Sequence, residues 1–344
     1  MQVSFPNRSG SALPAAAPLF AGLIAANLAA SIWAWVAFHD RPILLGSAFL
    51  AWMFGLRHAV DADHIAAIDN VVRKLVQDGR RPRAAGLWFS LGHSTIVVLA
   101  SLGVAGTARA FQHAMAGWEA IGSLIGTSVS ALFLLAIGVA NLFILRGTWR
   151  SFARARQGNV RKDPGPDSAL SGGGPLLWLC RPLLRSIRAS WHMYPLGFLF
   201  GLGFDTATEI GLLGIAAVQA QRGMSPWLVM VFPALFTAGM ALVDTADSVL
   251  MTGAYGFALI NPMRKLWYNL TMTATSILVA FLIGGLEALA IIGNRLALHG
   301  PFWDAVAGTD TLFDYGGIAV IGLFAACWAI SALVYKWARY DALA

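Results

Sequence analysis

The chain has 344 residues, of which 58% are hydrophobic and only 12% charged, with a formal net charge of +7 and a mean hydropathy of +0.66. A soluble domain usually carries about 25% charged residues, so this composition excludes an ordinary soluble protein. Several apolar runs reach the roughly 20 residues that cross a bilayer as a helix, whereas a membrane β-barrel would show alternating segments of about 10 residues.

The expected fold is therefore an all-α polytopic membrane protein with eight transmembrane helices in one domain spanning residues 1–344. Span one covers about Pro18–Phe38 and holds Asn27. No A-x-A cleavage site follows a short apolar core, so it is read as a retained helix. Span two, Ile43–Ile68, contains Arg57-His58-Ala59-Val60-Asp61-Ala62-Asp63-His64-Ile65. A basic loop, Val71–Arg83, leads to span three, about Ala84–Thr107, with Ser90, His93 and Ser94. Span four is about Ala120–Leu145. Residues 146–190 follow as a flexible cytoplasmic loop, rich in Gly, Pro, Ser and Asp at its middle. Span five, Trp191–Ala220, carries Asp205, Thr206, Thr208 and Glu209. Span six, Pro226–Met251, carries Asp244 and Asp247. Spans seven and eight are about Leu266–Ile292 and Tyr315–Tyr335.

Charge gives the orientation. With eight spans, 19 of the 24 Lys and Arg residues fall on the side of the termini and four on the other. Short cytoplasmic loops carry such an excess, so both termini are expected in the cytoplasm, and the basic charge serves topology and lipid contact rather than nucleic acid. Cys180 and Cys327 are far apart and show no spacing for a disulfide or a thiolate site. Short segments also repeat. Phe89–His93 resembles Phe236–Met240, and Ala62–Ile65 resembles Ala207–Ile210, at offsets of 147 and 145. Such offsets would make spans two to four an inverted repeat of spans five to seven, unless they reflect chance likeness of apolar segments.

The stretch Arg57–Ile65 is the electrostatic anomaly. One ionisable group at the centre of a span costs roughly 2.5–3.5 kcal/mol, so five must be paired, hydrated or bound to something. Imidazole nitrogen together with carboxylate oxygen points to a divalent transition metal. On a regular helix His58, Asp61 and His64 share one face and Asp63 points away. Either the helix unwinds there, or Asp63 pairs with Arg57 or with another helix. His93, one turn beyond Ser90, is either a ligand or a group that orients a carboxylate. Asp205, Thr208 and Glu209 form one polar stripe, and Asp244, Asp247 and Ser248 another. Four inward stripes would line a water-accessible route. Asn27, Asn269, residues 271–276 and Glu287 read as packing contacts in the main.

These pieces carry a family resemblance. Arg57–Ile65, Phe89–Thr95, Leu202–Glu209 and Gly239–Asp247 stand in order on the expected spans, and the chain resembles the nickel/cobalt transporter family, NiCoT, over its whole eight-span plan. The resemblance implies high-affinity uptake of Ni²⁺, in some members Co²⁺, across the cytoplasmic (inner) membrane. It implies metal contact by His58, Asp61, Asp63 and His64, with His93 from the second motif. It implies a transport pathway through Asp205, Thr206, Thr208, Glu209, Asp244 and Asp247, to which Arg57 and Asn27 are added as polar groups of spans two and one. The metal is then the transported substrate and no cofactor is expected. A nucleotide-binding G-x-x-x-x-G-K-[ST] segment is missing, so no ATPase is implied, and the partners are a divalent metal ion and the lipid bilayer. The competing readings are metal export and, without H-E-x-x-H, the less favoured intramembrane metalloenzyme.

Overall fold

The computed structural model describes residues 16–106, 110–156, 187–203, 207–258, 262–308 and 310–337, and the regular structure there is helical. The principal helices are α1 (Ala17–Phe38), α2 (Pro42–His58), α3 (Ala62–Gln77), α4 (Ala85–Gly106), α5 (Ala110–Arg156), α6 (Met193–Phe200), α7 (Ala207–Gln221), α8 (Val231–Ala258), α9 (Pro262–Arg295) and α10 (Asp310–Trp337). Short helical turns precede α6, α8 and α10. Prolines open α1, α2 and α9, where a missing N–H costs nothing.

Among the described residues, six helices are long and apolar enough to cross a membrane, and α2 with α3, bent by 50°, makes seven if the pair is one span. The protein is thus a multi-pass helical membrane protein. The stretch expected as span five holds two shorter helices, α6 and α7, with residues 204–206 outside the described residues. Helix α5 continues to Arg156, well past the expected end of span four, while residues 157–186 of the expected loop lie outside the described residues.

The helices divide into a rim and a centre. The spans of α1 and α10 are 17% and 22% buried, against 56% for α8, and α1 turns Leu28, Ile32, Trp35 and Val36 outward. Such exposed apolar surface fits lipid, not water. Helix α3 is the opposite case. It carries Asp63, His64, Asp69, Asn70 and Arg73, yet 13 of its 16 residues are buried. Lipid would not accept that helix, so its neighbours must supply partners. They do so in its second half. Tyr255 Oη of α8 and Ser276 Oγ of α9 donate to Asp69, the latter at 2.7 Å. Arg73 donates to Asn70 (2.9 Å) and Thr273 (3.1 Å), and Asn141 of α5 donates to Asn70 (2.8 Å). This corrects the expected loop Val71–Arg83: Arg73 is 2% exposed inside the bundle, and the helix runs on to Gln77.

Close backbone packing sets where α2, α4, α6 and α8 sit. A Cβ on Gly55 would lie 2.1 Å from the Phe236 carbonyl oxygen, and one on Gly197 would lie 2.0 Å from that of Phe89. Conversely, a Cβ on Gly239 would crowd the backbone of Trp52 and Leu56, and one on Gly92 that of Tyr194 and Phe198. Helices that meet through glycine approach more closely than larger residues permit. Close approach brings their polar stripes together.

Candidate metal centre

The centre forms where α2 gives way to α3. The helical ladder tightens at its end: Ala59 N–H reaches Gly55, whereas Val60 and Asp61 N–H reach only three residues back, to Arg57 and His58. Asp61 then takes an extended ψ of 147° at the N-cap of α3. An aspartate there usually accepts from its own helix. Here it makes no such bond; its Oδ2 lies 2.8 Å from Nδ1 of His58. An ionised carboxylate so placed would favour a proton on Nδ1 and leave Nε2 of His58 as a lone pair. The expected irregularity of the motif is therefore real: His58 closes one helix and His64 sits in the first turns of the next.

Three imidazoles converge. The ring centroids of His58, His64 and His93 are 4.6, 4.7 and 4.9 Å apart, and all three rings are buried. One ring nitrogen from each fits within a 4.8 Å set, a spacing that could hold a metal ion. His58 Nε2 is 2.9 Å from His93 Nε2, which is 2.8 Å from Glu209 Oε1; His58 Nε2 to Glu209 Oε1 is 3.9 Å. Ligands about 2.1 Å from one ion and at right angles would stand about 3 Å apart. Two ring nitrogens at 2.9 Å need a proton or a cation between them. His64 is fully buried with neither ring nitrogen hydrogen-bonded, and Nδ1 of His93 is likewise without a partner. Buried polar atoms rarely stay unsatisfied, so these nitrogens suit a ligand.

Carboxylates surround the rings. Asp61 backs His58, Glu209 meets His93, and Asp244 Oδ2 lies 3.5 Å from Nδ1 of His64. Ser90 Oγ lies 2.7 Å from the same Asp244 oxygen. Three acids beside three neutral imidazoles would leave a surplus of negative charge for a cation. Phe89 stands edge-on to His64, and Phe236 lies 5.5 Å from His58, so the walls between these polar groups are apolar. Orienting groups of this kind commonly change metal affinity by 10–100-fold. Ser90→Ala is expected to weaken Ni²⁺ binding by the purified protein about tenfold, read by calorimetry.

Thr208 Oγ1 lies 3.2 Å from His58 Nδ1, so α7 also reaches the centre. Asp63, in the first turn of α3, lines a cavity together with His58 and His93. Asp247 follows Asp244 by one turn of α8 and is half-buried. Arg57 lies in the last turn of α2, also half-buried. Asn27 is away from the cluster. It donates to Leu23 and Ala238 carbonyls at 2.9 and 3.0 Å and accepts from Trp52 Nε1, tying α1 to α2 and α8. Asp205 and Thr206 lie outside the described residues. Sequence reasoning did not single out Asp69, Asn70 and Tyr255, and it counted Ser276 only among packing contacts. Its one available signal was Asp69 itself, a further acid within the apolar run.

The chain is 54% identical over 323 residues to the high-affinity nickel transport protein of Cupriavidus necator, covering 94% of this chain and 92% of that one. It is 56% identical over 321 residues to the hydrogenase nickel incorporation protein HupN of Bradyrhizobium diazoefficiens, covering 93% and 84%. It is 37% identical over 292 residues to the cobalt transport protein NhlF of Rhodococcus rhodochrous, covering 83% and 81%. No solved structure matches the chain. With residues 44–334 matched, most of the chain and all the helices that build the centre, this protein belongs to the NicO family of high-affinity nickel-transport proteins.

Proposed function

We propose that the protein takes up Ni²⁺, and with it Co²⁺, across the cytoplasmic membrane as a secondary carrier. The observation that carries this reading is the triangle of buried imidazoles, open-handed at His64 and backed by acids from α2–α3, α7 and α8. Imidazole suits Ni²⁺ and Co²⁺ but also Zn²⁺ and Cu²⁺, so nickel is taken from the relatives' names and not from the donor set.

In this reading the ion sheds water into a ring formed by His58, His64 and His93, with Glu209 as an oxygen ligand. Asp61 orients His58, and Asp244, held by Ser90, adds negative charge beside His64. Beyond Asp244 the polar column continues to Asp247 and Asp69 along α8 and α3 as the inward route. The broken span of α6 and α7 brings the helix total to eight, with both termini in the cytoplasm. The glycine contacts support an inverted repeat. Gly55, Trp52 and Leu56 each precede Gly197, Tyr194 and Phe198 by 142 residues, and Phe89 and Gly92 precede Phe236 and Gly239 by 147, so the two sets of contacts exchange partners. Sites at the interface of such repeats suit alternating access.

An inside-negative potential draws in a divalent cation with about 4.6 kcal/mol per 100 mV, twice the single-charge value. Whole cells expressing the protein should accumulate radioactive Ni²⁺ saturably, with Co²⁺ as a competitor and a marked loss of uptake on adding an uncoupler. Metal resistance without accumulation would instead establish export and defeat the proposal.

A further inference from the structure

Beside the histidine triangle lies a small, partly open cavity with room inside for about one water, and its polar wall includes His58, His93, Asp63, Thr127, Ser130 and Glu287. Glu287 belongs to α9, a helix outside the four motif segments. It is only 9% exposed, and Ser130 of α5 donates to its Oε1 at 3.1 Å. An acid at that depth in an apolar span is costly and usually faces a functional interior. Asp63, an acid of the first motif, lines this same space. The cavity therefore joins oxygen donors on one wall to two imidazoles of the metal centre on another.

Helix α9 sets the height of the cavity. Glu287 precedes Arg295, the end of α9, by eight residues, and at 1.5 Å per residue it lies about 12 Å from that end of the helix. In the orientation proposed above, that end is the outer one.

We propose that this cavity is an outer loading site, in which the carboxylates of Glu287 and Asp63 hold a partly dehydrated divalent cation before His58 and His93 displace the water it still carries. The proposal rests on the uptake reading and adds a station before the histidines. Carboxylate and hydroxyl oxygens suit an ion that keeps part of its water, held in part through water-mediated contacts, whereas imidazole suits direct coordination of the stripped metal. A cleft lined by one sign of charge raises the local concentration of the opposite ion by 10–10³-fold. Ser130 sets the direction of the Glu287 carboxylate, and Thr127, one turn of α5 earlier, lines the same wall.

The test is the concentration dependence of radioactive Ni²⁺ uptake by cells expressing the full chain, normalised to protein in the membrane. Glu287→Gln should raise KM about tenfold, the low end of such focusing, while Vmax falls less than twofold. Glu287→Asp should recover part of the affinity, and Ser130→Ala should raise KM by a smaller factor. An unchanged KM in Glu287→Gln overturns the proposal. So does a loss of Vmax at unchanged KM, which is what a mere α5–α9 clasp would give. If Glu287→Gln does not reach the membrane, Glu287→Asp and Ser130→Ala decide, and unchanged KM in both overturns it. Failure of the uptake reading itself looks different, because then the unaltered protein shows no saturable Ni²⁺ uptake at all.

Discussion

Alanine at both His58 and His64 should lower Ni²⁺ uptake by more than about 100-fold at equal protein in the membrane, beyond the 10–100-fold typical of groups that only orient a ligand. Two of the three rings of the triangle are then gone, and His93 keeps Glu209 beside it at the centre. Acids that the rings had faced, Asp61 and Asp244, would keep their positions without a nitrogen donor. Raising external Ni²⁺ should not restore transport, because the missing groups are those that replace the ion's water. That separates this variant from Glu287→Gln, whose deficit is overcome by concentration. Normal uptake in the double variant, with expression verified, would defeat the assignment of the histidine triangle.

Gly55→Leu should abolish the folded protein rather than the chemistry. A Cβ at Gly55 would stand 2.1 Å from a backbone oxygen of Phe236, and backbone cannot rotate aside as a side chain can. Helices α2 and α8 would have to separate. Helix α8 carries Phe236 against His58 and Asp244 against His64, so separation opens the centre as well. Overpacking of this sort costs about 3 kcal/mol or more. The measurement is the yield of monodisperse protein after detergent extraction. Gly46→Leu is the matched control, since nothing lies within 4 Å of a Cβ there, and it should extract like the unaltered chain. Equal yields from the two variants would show that the close approach of α2 and α8 is not what positions the centre.

Composition by itself determined that this is a multi-pass helical membrane protein, because burying so many apolar residues with so few charges leaves the bilayer as the only fitting solvent. The types and spacing of His58, Asp61 and His64 marked this stretch as a metal-ligand candidate, and the structure brings both histidines into one cluster, though from two helices. Both are local properties, readable from residue type and helical period. The tertiary structure decided what depends on other helices. It placed His93 beside His58 as a third imidazole, which no spacing between residues 35 apart could do. It turned Arg73 from an expected loop charge into a buried partner of Asn70 and Thr273. It moved Asn27 away from the cluster into a clasp between helices. It also gave Glu287 a place in the wall of the cavity beside His58 and His93. The reason is physical. Hydrophobicity says which segments leave water, but in a bundle the direction of each polar group is set by the neighbour that satisfies it, and that neighbour is distant in sequence. So Arg57–Ile65 declares that something charged belongs inside the bundle, and only the packing of α4, α7 and α8 against it shows three rings and their acids meeting at one point.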